Sequence, residues 1–171
     1  TYGDETDGRS LGNFLRTMVN AYRLTGDAKY YTGAVNSINS AISSRIAASD
    51  GTPWADGMLG KALGTFLDLK LERGQTSDAD YTKAQSLLKS FADKVVNVSY
   101  PNDVNLTRWA DVLAYAYKHC GNNRTYLDRA KTLYSTIETT YWGRGTYSHA
   151  KEVAILLNNG GLVRYYRANG L

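Results

Sequence analysis

Residues 22–30 read YRLTGDAKY, and the turn at their centre decides the fold because related turns recur along the chain. The glycines of these turns are Gly26, Gly74, Gly121 and Gly170, at intervals of 48, 47 and 49 residues. Each of the first three turns ends a helix with a Gly that is free to adopt positive φ, and then supplies an Asp, Ser or Asn to cap the next helix. Four acidic residues recur at similar intervals, and they are Asp7, Asp56, Asp103 and Glu152. This period is about the length of two connected helices, so each repeat is predicted to be a helical hairpin.

The second helix of each hairpin carries a single apolar stripe. In the second repeat the stripe is formed by Tyr81, Ala84, Leu88, Phe91 and Val95, at steps of three and four residues. The corresponding stripes are Tyr31, Val35, Ile38, Ile42 and Ile46, and Tyr126, Ala130, Leu133, Ile137 and Tyr141. One apolar stripe on an otherwise polar helix predicts an outer helix that faces solvent.

The first helix of each hairpin is predicted to lie in an inner layer, because its apolar residues occupy more than one face, as in WADVLAYAY at 109–117. Five glycines are expected to let neighbouring backbones approach closely: Gly12, Gly60, Gly64, Gly160 and Gly161. No segment shows the sustained alternation of a strand. We therefore predict an all-α fold of about 3.5 hairpins, around seven helices, that forms a partial α/α toroid or an open helical solenoid.

The chain is predicted to be one domain, residues 1–171, with repeats near 7–55, 56–102, 103–151 and 152–171. The fourth repeat stops where a second helix would begin. We expect either that the chain is part of a larger ring of hairpins or that a second molecule covers the seventh helix, because an uncapped repeat array tends to associate.

The composition argues against several kinds of partner. The 20 Lys and Arg residues exceed the 16 Asp and Glu residues by only four and are scattered singly, so nucleic acid is not an expected partner. No run of 18 apolar residues occurs, so no membrane span is expected. The single Cys120 excludes an internal disulfide, and neither His119 nor His149 has the spacing of a zinc site. No metal or cofactor is predicted.

The longer connections, near 47–56, 97–105 and 142–150, are predicted to lie at one end of the scaffold and to carry the functional site. Glycoside hydrolysis requires two carboxylates that flank the glycosidic bond. Asp56 and Asp103 begin successive inner helices and are the predicted acid–base pair. The same acids also suit a structural role, because a carboxylate in the first turn of a helix complements the helix dipole.

Aromatic and basic residues of the same connections are the predicted substrate contacts. Trp54 and Trp142 are expected to lie in loops and to pack on the apolar face of a sugar ring, whereas Trp109 is expected in the core. The remaining predicted contacts are Arg144, Tyr147, His149 and Glu152. The same residues also suit β-elimination, in which the arginine binds the carboxylate of a uronate and the tyrosine or histidine exchanges a proton. A Gly-rich loop whose polar side chains lie in water explains them equally well. The other histidine, His119, is expected to interact with the last carbonyls of its helix.

Residues 22–30 and 121–130 resemble the turns of α/α-toroid carbohydrate-active enzymes. The segment from Trp109 to Gly170 is most similar to the endo-α-1,6-mannanase family of glycoside hydrolases, through Trp142, Lys151, Asn159, Tyr166 and Arg167. The resemblance implies a ring of helical hairpins that acts on a polysaccharide. It also implies adjacent catalytic aspartates before the tryptophan-led inner helix, where this chain has Val104-Asn105 preceded by a single Asp103.

Three glycosylation sequons begin at Asn97, Asn105 and Asn123, which favours a secreted or cell-surface protein. Together these features predict a carbohydrate-active domain that hydrolyses or binds a polysaccharide or other glycan. Two alternatives stay open. One is a structural subunit that self-associates through its incomplete terminal hairpin, and the other is a polysaccharide lyase.

Overall fold

The computed structural model describes residues 8–44, 53–97, 106–142 and 158–171, and seven helices occur in these ranges. The helices are α1 (Gly8–Thr25), α2 (Ala28–Ser43), α3 (Pro53–Glu72), α4 (Ala79–Val96), α5 (Leu106–His119), α6 (Arg124–Trp142) and α7 (Gly161–Ala168). The described ranges contain no strand. The predicted all-α array of helical hairpins is therefore confirmed.

The helices form two layers. Helices α1, α3 and α5 lie side by side in the inner layer, and α2, α4 and α6 each pack against the inner helix that precedes them. The inner helices run parallel, because Gly8 of α1 lies against Ala55 of α3 near one end, and Arg23 binds Glu72 near the other. The same holds for α3 and α5, because Gly57 lies against Arg108 near one end and Asp68 binds His119 near the other. All three inner helices therefore begin at the same end of the molecule, which we call the mouth.

Residues of successive repeats bind one another, which gives the sequence period a structural basis. Three hydrogen-bonded pairs are each separated by 49 residues, namely Arg23–Glu72, Tyr31–Asp80 and Gly160–Asp111. Because each repeat contacts mainly its neighbours, the array is built like other repeat proteins. None of the described helices has the length and apolar character needed to cross a membrane.

The turns between paired helices have the predicted geometry. Their glycines Gly26, Gly74 and Gly121 adopt left-handed φ values of 69°, 66° and 87°, and Gly170, which follows α7, has a φ of 71°. The cap of α2 is Asp27, whose side chain accepts a 2.9 Å hydrogen bond from the Lys29 amide. Asp78 caps α4 in the same way, at 2.8 Å from the Tyr81 amide. Turn chemistry thus sets where the outer helices begin.

The predicted outer stripe is confirmed in α4, where Tyr81, Ala84, Leu88, Phe91 and Val95 are all buried. In α2 the prediction is wrong in part. Ile42 is 43% exposed, and the buried residues are Ala34, Ser37, Ile38 and Ala41. On the same helix, Gly33 lies against the Met18 side chain of α1.

Glycines bring the inner helices close together, as predicted for Gly12, Gly60 and Gly64. A Cβ atom on Gly12 would lie 2.7 Å from the backbone nitrogen of Leu59, and one on Gly60 would lie 2.6 Å from Val112 Cγ2. At Gly64 it would overlap the ring of Tyr115. A side chain at Gly12 would meet the backbone of α3 and force the two helices apart, and one at Gly60 or Gly64 would displace Val112 or Tyr115.

The same prediction is wrong for Gly161, which has no neighbour within 4 Å of a Cβ position. Gly160 has a φ of 73° and lies against the ring of Tyr134 on the outer helix α6. Its left-handed backbone precedes α7, a helix of eight residues. The predicted start of that inner helix, residues 153–157, lies outside the described residues.

Candidate functional site

A cleft of about 370 Å³ opens near the mouth, between the three inner helices and residues 158–159. Its polar lining consists of Asn13, Arg16, Lys61, Arg108, Asn158 and Asn159. Gly12, Met58 and Ala62 complete the lining found in the described ranges. A concave site with a few convergent polar groups is the usual form of a small-molecule binding site.

Helical spacing explains how these side chains converge. Asn13 and Arg16 are three residues apart on α1, and Met58 and Lys61 are three apart on α3, so each pair shares one helix face. Arg108 lies in the first turn of α5. Because the inner helices are parallel, these faces meet at the same level of the molecule.

Lys61 and Asp111 connect the inner helices to the segment before α7. The Asp111 carboxylate is 2% exposed, and its Oδ2 lies 2.9 Å from Lys61 Nζ. Its Oδ1 accepts a 2.8 Å hydrogen bond from the Gly160 amide. Burial raises the pKa of the Asp111 carboxyl, and the nearby Lys61 ammonium acts against this rise.

Lys61 also holds in place the wall of the cleft that residues 158 and 159 form. Its ammonium donates to the Asn158 carbonyl at 2.6 Å and to Asn159 Oδ1 at 3.0 Å. The Asp111 carboxylate adds an ion pair to these two hydrogen bonds, with Oδ2 at 2.9 Å from the same ammonium. We therefore assign Lys61 a positioning role, in which it holds residues 158–160 against α3 and α5.

The predicted catalytic acid Asp56 does not line the cleft. It lies in the first turn of α3, is 2% exposed, and packs beside Gly8 at the start of α1. This position suits a carboxylate that complements the helix dipole. Asp103 lies outside the described residues, so the predicted acid–base pair stays a prediction.

The predicted loop positions of two tryptophans are wrong. Trp54 lies in the first turn of α3 and Trp142 is the last residue of α6, because both helices extend further than the apolar pattern indicates. Their side chains lie outside the described residues, as do Arg144, Tyr147, His149 and Glu152. Trp109 is 1% exposed and packs on Phe91, which confirms its predicted place in the core.

Sequence reasoning missed Arg16, Lys61, Arg108 and Asp111. It followed the acids that recur at the helix starts, whereas the cleft is lined by residues within the inner helices. A signal was present, because a cationic residue occurs in the first half of each of the three inner helices. Placing those three residues together requires knowing that the helices are parallel and in register.

A second polar cluster lies at the end of the inner helices away from the mouth. Asp68 Oδ1 lies 2.8 Å from His119 Nε2 and 2.7 Å from Lys118 Nζ. The other ring nitrogen of His119 lies 3.4 Å from the Tyr81 hydroxyl. The prediction that His119 interacts with its own helix end is therefore wrong, because the neighbouring inner helix offers a carboxylate within reach.

The ion pairs of Asp68 predict a loss of stability in acid. Burial alone would raise the pKa of Asp68, but hydrogen bonds from His119 and Lys118 outweigh it and hold that pKa below its usual value. A carboxyl with a lowered folded-state pKa stabilises the fold above its unfolded pKa of about 3.9, and this contribution disappears as the pH falls through the folded value. We expect Asp68→Asn to cost about 2 kcal/mol at neutral pH and progressively less below about pH 4.

Urea unfolding of both proteins at a series of pH values measures this difference. Asp128→Asn is the matched control, because Asp128 forms only an exposed pair with Arg124. A gap between wild type and Asp68→Asn that stays constant down to about pH 2 would contradict the prediction.

The described residues contain no group of three or more His, Cys, Asp or Glu side chains placed to hold a metal ion. Comparisons with protein-family models, curated proteins and solved structures found no match to this chain. The similarity to the mannanase family stays a prediction.

Proposed function

We propose that this chain is a carbohydrate-binding domain whose glycan ligand lies in the cleft at the mouth. The observation that supports it is the polar lining, in which three asparagine amides converge with three cationic side chains. Asparagine offers both donors and acceptors, which suits sugar hydroxyls that also do both. The volume of about 370 Å³ is in the range of small-molecule sites and leaves room for a short saccharide.

Binding has more support than hydrolysis. A glycosidase needs two carboxyl groups about 5–9.5 Å apart on either side of the scissile bond. No carboxylate belongs to the described lining of the cleft, and Asp56 is buried beside α1. The acidic group nearest to Lys61, Asp111, is already engaged by Lys61 and the Gly160 amide.

The proposal implies a secreted or cell-surface protein. Two sequon asparagines, Asn97 and Asn123, are exposed, and Asn105 lies outside the described residues. Asn123 uses its Oδ1 to accept a hydrogen bond from the Thr125 amide at 3.0 Å. A glycan attached at Nδ2 would leave that helix cap intact.

Isothermal titration against a panel of neutral and charged oligosaccharides tests the proposal. We expect Asn13→Ala to weaken binding about tenfold, because it removes hydrogen bonds to the ligand. The matched control is Asn20→Ala, since Asn20 is exposed on the same helix and does not line the cleft. Equal affinity of the two variants, or no binding by the wild type to any glycan, would overturn the proposal.

The same panel separates binding from catalysis. We expect no turnover by the wild type or by Asp56→Asn. Turnover by the wild type that is lost in Asp56→Asn would establish the hydrolase prediction instead, with Asp56 as a catalytic residue. Elimination products with an unsaturated sugar would favour the lyase alternative.

A second candidate function is self-association through the terminal hairpin. Tyr165 of α7 is 59% exposed, and the last residue, Leu171, is 41% exposed. Exposed aromatic and aliphatic side chains that lie close together favour contact with another molecule. Concentration-dependent association in light scattering, together with no glycan binding, would favour this candidate.

A further inference from the structure

Two of the three cationic side chains of the cleft have partners within the chain. Lys61 forms an ion pair with Asp111, with 2.9 Å between Nζ and Oδ2. The same ammonium donates to the Asn158 carbonyl at 2.6 Å and to Asn159 Oδ1 at 3.0 Å. Arg108 also has an interaction within the chain. The protein itself therefore satisfies these two cations before any ligand binds.

The third cation, Arg16, is exposed on α1. Water and dissolved ions screen a charge in such a position, so its attraction for an acidic ligand is weak. An acidic group that entered the cleft would lose part of its hydration, and neither Lys61 nor Arg108 could replace it without leaving its present partner. The electrostatics of the cleft thus favour a ligand that carries no charge.

Two side-chain amides of the lining are available to such a ligand. In the described part of the chain, the hydrogen bonds that Asn13 and Asn158 make with other side chains use their backbone carbonyls. These carbonyls accept from Thr17 Oγ1 at 2.9 Å and from Lys61 Nζ at 2.6 Å. Asn13 is half-buried and Asn158 is exposed, so both side chains can reach a bound molecule. An amide both donates and accepts, as a sugar hydroxyl does.

An apolar floor lies between these two amides. It is formed by the half-buried Met58 and the buried Ala62, which are four residues apart and share one face of α3. Helix α3 lies between α1 and α5 in the inner layer. Asn158 lies on the α5 side, where Asp111 binds the nearby Gly160 amide. The floor therefore separates the amide of α1 from that of Asn158.

We propose that the ligand of the cleft is a neutral saccharide, one ring of which packs on Met58 while its hydroxyls bind Asn13 and Asn158. This inference rests on the proposed function and specifies its ligand class. An uncharged pyranose ring has an apolar face of C–H bonds and carries hydroxyls around its edge. It matches a site with an apolar centre and a few polar groups that fix the orientation of the ligand. Lys61 keeps Asn158 in place.

Isothermal titration against seven trisaccharides tests the inference. Four are neutral and consist of glucose, galactose, mannose or xylose, and three are acidic and consist of glucuronate, galacturonate or sulfated galactose. We expect the tightest ligand to be neutral, because an acidic sugar loses hydration without gaining an ion pair. Its affinity should change by less than about twofold between about 0.05 M and about 0.5 M salt.

Substitutions of Met58 test the apolar floor. Met58→Gln should weaken the binding about tenfold, because it replaces the thioether with a polar amide of similar shape. Met58→Leu keeps the floor apolar and should change the affinity by less than about threefold. Met18→Gln is the matched control, since Met18 is a half-buried methionine of α1 that packs on Gly33 and does not line the cleft. Melting curves establish that every variant is folded at the temperature of the titration.

Arg16→Gln tests the role of charge, and we expect it to change the affinity for the neutral ligand by less than about twofold. An acidic trisaccharide that binds as tightly as the best neutral one, or a loss of affinity in Arg16→Gln, would overturn the inference and leave the proposed function intact. Equal affinity of Met58→Gln and Met18→Gln would also overturn it. No binding by any of the seven trisaccharides would overturn the proposed function as well.

Discussion

Replacing Asp111 with alanine is expected to destabilise the protein by about 3 kcal/mol. The change leaves the Lys61 ammonium without its buried counter-charge and the Gly160 amide without its acceptor. Removing one partner of a buried ion pair costs about 3–5 kcal/mol of folding stability. We expect the lower value because the Lys61 side chain is 23% exposed and can reach water. The segment before α7 should lose its attachment to α5.

Urea denaturation measures the stability, and amide hydrogen exchange measures the attachment. We expect faster exchange in residues 158–171 of Asp111→Ala than in α1 to α4. The control is Asp128→Ala, which removes an exposed ion pair with Arg124 and should cost less than about 1 kcal/mol. If the two variants unfold at the same urea concentration, the ion pair of Asp111 does not hold the terminal segment.

The fold was largely predictable because its determinants are local. Gly26, Gly74 and Gly121 need positive φ, and a residue one to four positions after each of them caps the next helix. Such signals depend only on neighbouring residues, so a single sequence carries them in full. The regular interval between them then predicts the hairpin array.

The details of packing were less predictable, because they depend on which side chains meet across helices. Ile42 continues the apolar spacing of α2, yet it is exposed, whereas Gly33 of the same helix packs against Met18 and Phe14 of α1. His119 has a helix end within reach, but Asp68 of the neighbouring inner helix binds it instead. In both cases a contact made across two helices outweighs the local pattern.

The candidate site depends still more on long-range contacts. Arg16, Lys61 and Arg108 come from three different hairpins and meet only because the inner helices are parallel and aligned. Asp56 is a conspicuous residue in the sequence because it recurs with the period. Recurrence favours a structural role at each helix start, and a ligand site needs residues that differ between repeats.

Gly12→Ala is expected to destabilise the protein by about 3 kcal/mol, the upper part of the usual range for overpacking a well-filled site. The new Cβ would lie 2.7 Å from the backbone nitrogen of Leu59 and 2.9 Å from its Cα. A clash with a flexible side chain is relieved by a change of rotamer, but a clash with a helix backbone requires α1 and α3 to separate. That separation disturbs the apolar contacts of Leu11 and Leu15, which are buried in the core.

Gly161→Ala tests whether the loss comes from contact rather than from the glycine itself. Gly161 is also a helical residue, but nothing lies within 4 Å of its Cβ position. Alanine should therefore be neutral there or stabilise α7 by up to about 1 kcal/mol, through higher helix propensity and a less flexible unfolded chain. We expect the melting temperature of Gly12→Ala to fall well below that of the wild type, and that of Gly161→Ala to stay equal or rise. Equal melting temperatures would mean that α1 and α3 can accept a side chain at Gly12, and the close packing that places Asn13 and Arg16 beside Lys61 would then need another cause.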